Sequence, residues 1–174
     1  MKSFRFTLSA LALATASILA QPVQAQQGWA PAPADYPAVK VPAGLTTEPV
    51  INSPAKAYFR TRLREGSSQG SNFGGHYALL QWGCGDGCTT FFIVDELTGR
   101  VYEPGYNLTA PRGGADETIG FEYRPDSRLL VMQGCHGNSA TTCGKYYMLW
   151  TGSKLETLNR EPLTTTIAAV RGMQ

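Results

Sequence analysis

The chain has 174 residues, 15 Lys plus Arg against 13 Asp plus Glu, and 43% hydrophobic content, which suits one globular domain and excludes a polybasic nucleic-acid binder. Gly at 19 and Pro at 11 with only 16% charged residues exclude a long helical bundle, whose composition leans on Ala, Glu, Lys and Leu.

Lys2 and Arg5 open the chain with a short basic region, residues 6–20 form an apolar run, and Val23-Gln24-Ala25 fits the small-x-small rule for leader cleavage. A spanning helix needs roughly 20 apolar residues. This run is shorter and ends in Gln21-Pro22, so residues 1–25 are expected to be a signal peptide, with no membrane span after cleavage. Its loss removes two positive charges and no negative one, leaving a formally neutral mature chain that has no electrostatic means of capturing nucleic acid or an anionic membrane. All four cysteines, Cys84, Cys88, Cys135 and Cys143, lie in the exported part. An even count in an oxidising compartment predicts two disulfides and a periplasmic or secreted protein.

Residues 26–54 are rich in Pro, Ala and Gln with few of the large apolar side chains that fill a core, so they read as an extended arm or spacer preceding a β domain over 55–174. Ser53 as N-cap, Pro54 in the first turn and Gly66 just past the end predict one helix. Ala55, Tyr58, Phe59 and Leu63 share its apolar side, and Arg60 and Arg64 its solvent side.

Beyond a Gly/Ser-rich loop the pattern changes to strands. Apolar runs at 76–82, 89–94, 100–103, 118–123, 128–133, 145–150 and 155–158, separated by turn residues, predict a mainly β fold. We expect an antiparallel meander or sandwich of about seven strands with two related hairpin units and one N-terminal helix. The relation lies between Leu79-Leu-Gln-Trp-Gly-Cys84 with Cys88, Phe91-Phe-Ile-Val94 and a Thr-Gly turn, and Leu129-Leu-Val-Met-Gln-Gly-Cys135 with Cys143, Tyr146-Tyr-Met-Leu-Trp150 and another Thr-Gly turn. Each unit is a hairpin with a cysteine on each side of its tip. Four cysteines permit three connectivities, and equivalence of the halves favours Cys84 with Cys88 and Cys135 with Cys143.

Asn72-Phe-Gly-Gly-His-Tyr77, Gln81-Trp-Gly-Cys-Gly-Asp-Gly-Cys88, Ile93-Val-Asp95 and Thr98-Gly-Arg-Val-Tyr102 resemble a pattern recurring in small secreted proteins of Gram-negative bacteria. The resemblance covers about residues 73–102 and extends loosely to Trp150. It implies an exported bacterial protein with an all-β domain and carries neither an activity nor catalytic residues.

Cys84-x3-Cys88 with Asp86 between has one residue too many for a redox motif and lacks the second couple of a zinc site, so a structural disulfide around a Gly-rich turn is the simpler reading. His136, beside Cys135, would join a Cys/His cluster only if both tips converged. A Cys/His nucleophile needs a free thiol, which an even count in an oxidising compartment does not supply. Asp95, Glu96, Asp116 and Glu117 fall in turns or loops, where acids serve the backbone. The sequon Asn107-Leu108-Thr109 is discounted for a bacterial chain, and the glycines of 70–75 lack phosphate-loop spacing. No cofactor is expected.

The two hairpin tips, residues 83–88 and 134–143, are therefore the features backed for function, with Trp82, Asp86, His136 and Asn138 as candidate binding residues and a protein of the cell envelope or secreted space as partner. Stiff loops lose little entropy on docking. The expected activity is binding, as an inhibitor or immunity protein that occludes a wall-degrading enzyme. Rival expectations are a small envelope hydrolase using His76 or His136 with Asp86, and a purely structural periplasmic protein.

Overall fold

The computed structural model describes residues 29–42, 44, 46–111, 119–137 and 140–163. The proposed signal peptide, Asn138, Asp116 and Glu117 lie outside them. The fold is mainly antiparallel β. The described strands are β1 (Tyr77–Gly85), β2 (Cys88–Asp95), β3 (Val101–Tyr102), β4 (Asn107–Thr109), β5 (Gly120–Tyr123), β6 (Leu129–His136), β7 (Cys143–Trp150) and β8 (Leu155–Pro162). They join in one sheet of order β1-β2-β4-β6-β7-β8, with β3 also on β2 and β5 also on β6.

Three short strands organise this sheet. Along β2, Val94 and Ile93 face Val101 and Tyr102, and Thr90, Thr89 and Cys88 face Asn107, Leu108 and Thr109. Along β6, His136 and Cys135 face Leu108 and Thr109, and Gln133 to Leu130 face Gly120 to Tyr123. Thus β3, β4 and β5 are successive pieces of one interrupted strand whose first part pairs with the β1–β2 hairpin and whose last part pairs with β6–β7. Of these three pieces, β4 alone is paired on both edges among the described residues, so it is the seam between the two related hairpins.

Alternation along the strands places side chains on two faces. Tyr77, Leu79, Phe91 and Ile93 from one hairpin meet Leu130, Met132, Met148 and Trp150 from the other in the main core, with Leu108 of β4 among them. The outward residues of the first hairpin, Ala78, Leu80, Phe92 and Val94, pack under Leu63 and Phe59. Those of the second, Leu129, Val131 and Tyr147, meet Tyr36 and Leu158. Cover on both faces explains why the apolar runs are continuous in sequence rather than alternating.

The expected single helix is two pieces, α1 (Pro54–Tyr58) and α2 (Arg60–Ser67). Ser53 caps the first as anticipated, its Oγ accepting from the Lys56 amide at 3.3 Å. Between the pieces the Phe59 backbone departs from helical geometry (φ −97°, ψ 11°), and its ring lies 5.0 Å from that of Trp82 and 5.5 Å from that of Phe92. Gly66 lies inside α2 rather than past its end. A Cβ there would sit 2.6 Å from Leu80 Cδ2, so this glycine permits close approach of helix to sheet.

The described part of the Pro/Ala arm is laid along the domain. It contributes the partly buried Tyr36 and Ile51 to two apolar clusters, buries Pro31 and Pro49, pairs Glu48 with Arg64 at 2.8 Å, and is held further through its backbone. Ser127 Oγ donates to the carbonyls of Pro33 and Tyr36, and the amides of Arg128 and Ala38 tie the same strip to the β5–β6 turn. Further on, the amides of Val41, Thr47 and Val50 donate to the carbonyls of Gly75, Glu96 and Gly99. Apart from one 3-10 turn at Pro33–Asp35, closed by the Asp35 and Tyr36 amides on the Ala32 and Pro33 carbonyls, an extended Pro-rich chain leaves its backbone amides and carbonyls available for such contacts.

Candidate functional site

Both predicted bridges are formed, Cys84–Cys88 and Cys135–Cys143, and no cysteine is free. The β1–β2 hairpin turns through Asp86-Gly87 after a register shift between Gly83 and Gly85. Gly85 (φ 140°) and Gly87 (φ 61°) occupy backbone conformations that a side chain disfavours, which is why this tip is built of glycine around one exposed acid, Asp86. In the second hairpin Cys135 and Cys143 are direct cross-strand partners, with His136 exposed just beyond the bridge.

The seam strand brings the tips together. Thr109 faces Cys88 on one edge and Cys135 on the other, so one cysteine from each bridge flanks a single residue. The Ala110 amide donates to the Gly87 carbonyl of the first tip at 2.9 Å. Thr109 Oγ1 donates to the Gly137 carbonyl of the second at 3.0 Å. Neighbouring strands lie about 4.8 Å apart, which sets these two cysteines roughly 10 Å apart across the seam.

Three residues that the sequence did not offer as binding candidates complete this region. Thr109 links the tips. Tyr106 brings its ring 5.1 Å from His136. Arg160 on β8 braces the second tip, donating to the carbonyls of Thr141 at 2.6 Å and Cys143 at 3.1 Å while lying over Tyr146. Trp82 is placed elsewhere. It stacks on Phe92 at 5.2 Å with 15° between the planes, and Arg62 of α2 lies 5.8 Å from its ring centre. Its position supports the helix-facing side of the hairpin, while Asp86 and His136 stand at the tips.

His76 lies at the other end of β1, where its Nε2 is 3.7 Å from Asp95 Oδ1. That oxygen also accepts from the amides of Leu97 and Thr98 at 2.9 and 3.3 Å, which closes the 95–99 turn. Asp86 forms no described ion pair with either histidine. Beside Asp95, the Glu96 side chain is buried. Ser67 Oγ donates to its Oε1 at 2.7 Å, while Oε2 has no partner among the described residues. Burial raises the Glu96 pKa above the usual 4.5, and the Ser67 hydrogen bond only partly opposes this.

The sign of the consequence follows from linkage. In the window between the ordinary carboxylate value and the raised folded value, the native state binds more protons than the unfolded state, so stability falls as pH rises. Glu96→Gln keeps an acceptor for Ser67 and removes the charge. Thermal melts from about pH 4 to 8 are expected to show a fall in Tm with pH across that window that is shallower in the variant than in the native chain. Parallel profiles would contradict the assignment.

Among the described residues no three His, Cys, Asp or Glu side chains are grouped so as to hold a metal ion, and no helix is long and apolar enough to cross a membrane. Comparisons with protein-family models, with curated proteins and with solved structures find no match to this chain.

Proposed function

We propose that the protein is an exported, non-catalytic binding protein of the cell envelope that engages a protein partner through the paired tips. The observation that carries this reading is the flanking of Thr109 by Cys88 and Cys135. Two cystine-closed loops are thereby presented as one composite surface, and a loop already constrained before docking forfeits little conformational entropy when it binds. Export is supported by the leader-like residues 1–25 and by the pairing of all four cysteines, a state that persists in oxidising compartments. A narrow glycine-built turn carrying one acid suits insertion into a cleft. Occlusion of a wall-degrading enzyme, as an inhibitor or immunity protein, is the form of binding we favour.

The test is affinity for a partner captured from envelope or secreted extracts. Asp86 and His136 are exposed, and surface substitutions of this kind stay within about 0.5 kcal/mol in stability. Asp86→Ala and His136→Ala are each expected to weaken binding at least fivefold, with melting temperatures unchanged. Native affinity in both variants would remove the tips from the account and leave the bridges a purely structural role.

A further inference from the structure

Two neighbouring cavities, lined by neither Asp86 nor His136, form a cleft. One, of about 520 Å³, lies between the start of α1 and the β2–β3 turn, where Asn52, Lys56, Asp95, Thr98 and Arg100 line it. The other, of about 390 Å³, lies between the 103–106 segment and the β7–β8 turn, where Glu103, Tyr106, Ser153 and Lys154 contribute. Val101 and Tyr102 line both, so the cavities adjoin along β3. Each falls within the roughly 300–1,000 Å³ range of small-molecule sites.

Charge selects the ligand class. Asp95 is the one carboxylate lining the first cavity, and its Oδ1 is already engaged by the amides of Leu97 and Thr98. Lys56 Nζ spends one hydrogen bond on Asn52 Oδ1 at 2.7 Å, and the Arg100 guanidinium lies 5.7 Å from the Tyr102 ring centre. Neither cation has an ion-pair partner among the described residues. Two cations from separate segments of the chain thus converge on one cavity with donors to spare, and a guanidinium matches a carboxylate in a planar, two-bond geometry.

The rest of the lining argues for a sugar over an apolar acid. Asn52 and Thr98 in one cavity, and Glu103 and Ser153 in the other, interleave hydrogen-bonding groups with tyrosine rings. Asn52 Oδ1 already accepts from Lys56 and Thr98 Oγ1 from the Arg100 amide, so it is the remaining hydrogen-bonding capacity of these groups that an apolar ligand would strip of water and that ring hydroxyls would satisfy. We propose that this cleft binds a carboxylated sugar, a disaccharide or longer. Its carboxylate lies between Lys56 and Arg100, and the adjoining ring passes Tyr102 into the second cavity.

The experiment is a titration of isotopically labelled protein followed by amide chemical shifts, using digalacturonate as the probe, maltose as its neutral counterpart and an acidic peptide of similar charge. Saturable shifts are expected for digalacturonate at the amides of residues 98–102 and 153–155, with no saturation by maltose. Lys56→Gln and Arg100→Gln are each expected to weaken binding at least fivefold, with Arg100→Lys intermediate. Neither residue is buried, and unchanged spectra elsewhere in each variant would show the fold intact. Absence of saturable shifts with digalacturonate, equal affinity for maltose, or tighter binding of the peptide would each overturn the proposal. The Asp86→Ala variant, whose residue lines neither cavity, should bind the sugar normally, so failure here and failure of the tip reading are distinguishable.

Discussion

Trp150→Ala is expected to destabilise the protein by about 4 kcal/mol, within the range of about 3–5 kcal/mol found when a buried aromatic is truncated. Trp150 is fully buried at the end of β7. Tyr77 of β1 and Tyr102 of β3 meet it at 5.3 and 5.1 Å, with ring planes 81° and 80° apart. It therefore joins the second hairpin to β1 of the first and to β3 beside it, and its loss leaves a cavity between elements that no local turn holds together. The backbone there is also shared, since the Trp150 amide donates to the Arg128 carbonyl and the Arg128 amide to Tyr36 of the arm. At roughly 2–4 °C per kcal/mol for a domain of this size, a fall in melting temperature near 12 °C is expected, with a smaller one for Trp150→Phe. A cost under about 1 kcal/mol in a denaturant titration would show that the two hairpins are held by something other than this aromatic contact.

Leu108→Ala is expected to cost about 3 kcal/mol, in the range of about 2–5 kcal/mol for Leu→Ala in a core, and to have a consequence that Trp150→Ala lacks. Leu108 is fully buried, and the other two residues of β4 are not. It is thus the side chain that anchors the seam strand in the core. Weakening that anchor should loosen the pairing of Thr109 with both Cys88 and Cys135. Amide hydrogen exchange at residues 88–90, 108–110 and 135–136 is expected to accelerate well beyond the global change in stability, whereas Trp150→Ala should raise exchange there only by its global effect. Partner affinity should fall with the local opening. Uniform acceleration in Leu108→Ala would mean that β4 does not couple the tips.

The same strand marks where the sequence ceased to be readable. The hairpins were legible because long apolar runs bounded by Gly, Asp and Thr leave little alternative to paired strands, and the near-repetition of the two units supported the cysteine pairing. Strand β4 is three residues with one buried apolar side chain, too short to give an alternating pattern, and Asn107-Leu108-Thr109 was noticed only as a sequon. Convergence of the tips depends on its two registers, and register between distant segments is a tertiary property that no local signal carries.

Trp82 was legible in principle. It shares parity with Ala78 and Leu80, and in a strand that parity places it on their face, toward the helix. The break at Phe59 was less accessible. The local signals around Ser53 and Pro54 favoured helix throughout, and packing of Phe59 against Trp82 and Phe92 is made with strands some twenty and thirty residues away in sequence. The composition of the arm gave no indication that Ser127, Gly75 and Gly99 would hold its backbone.

The most direct test of the paired-tip surface is site-specific photo-cross-linking from two positions of the oxidised protein in envelope extract. A benzophenone amino acid would replace the exposed Thr141 at the second tip or, in a separate protein, Tyr58, which is 82% exposed on α1. The account predicts one dominant cross-linked partner from position 141, none from position 58, and loss of the cross-link when both bridges are reduced. The same partner captured from position 58, or a cross-link at position 141 indifferent to reduction, would contradict it.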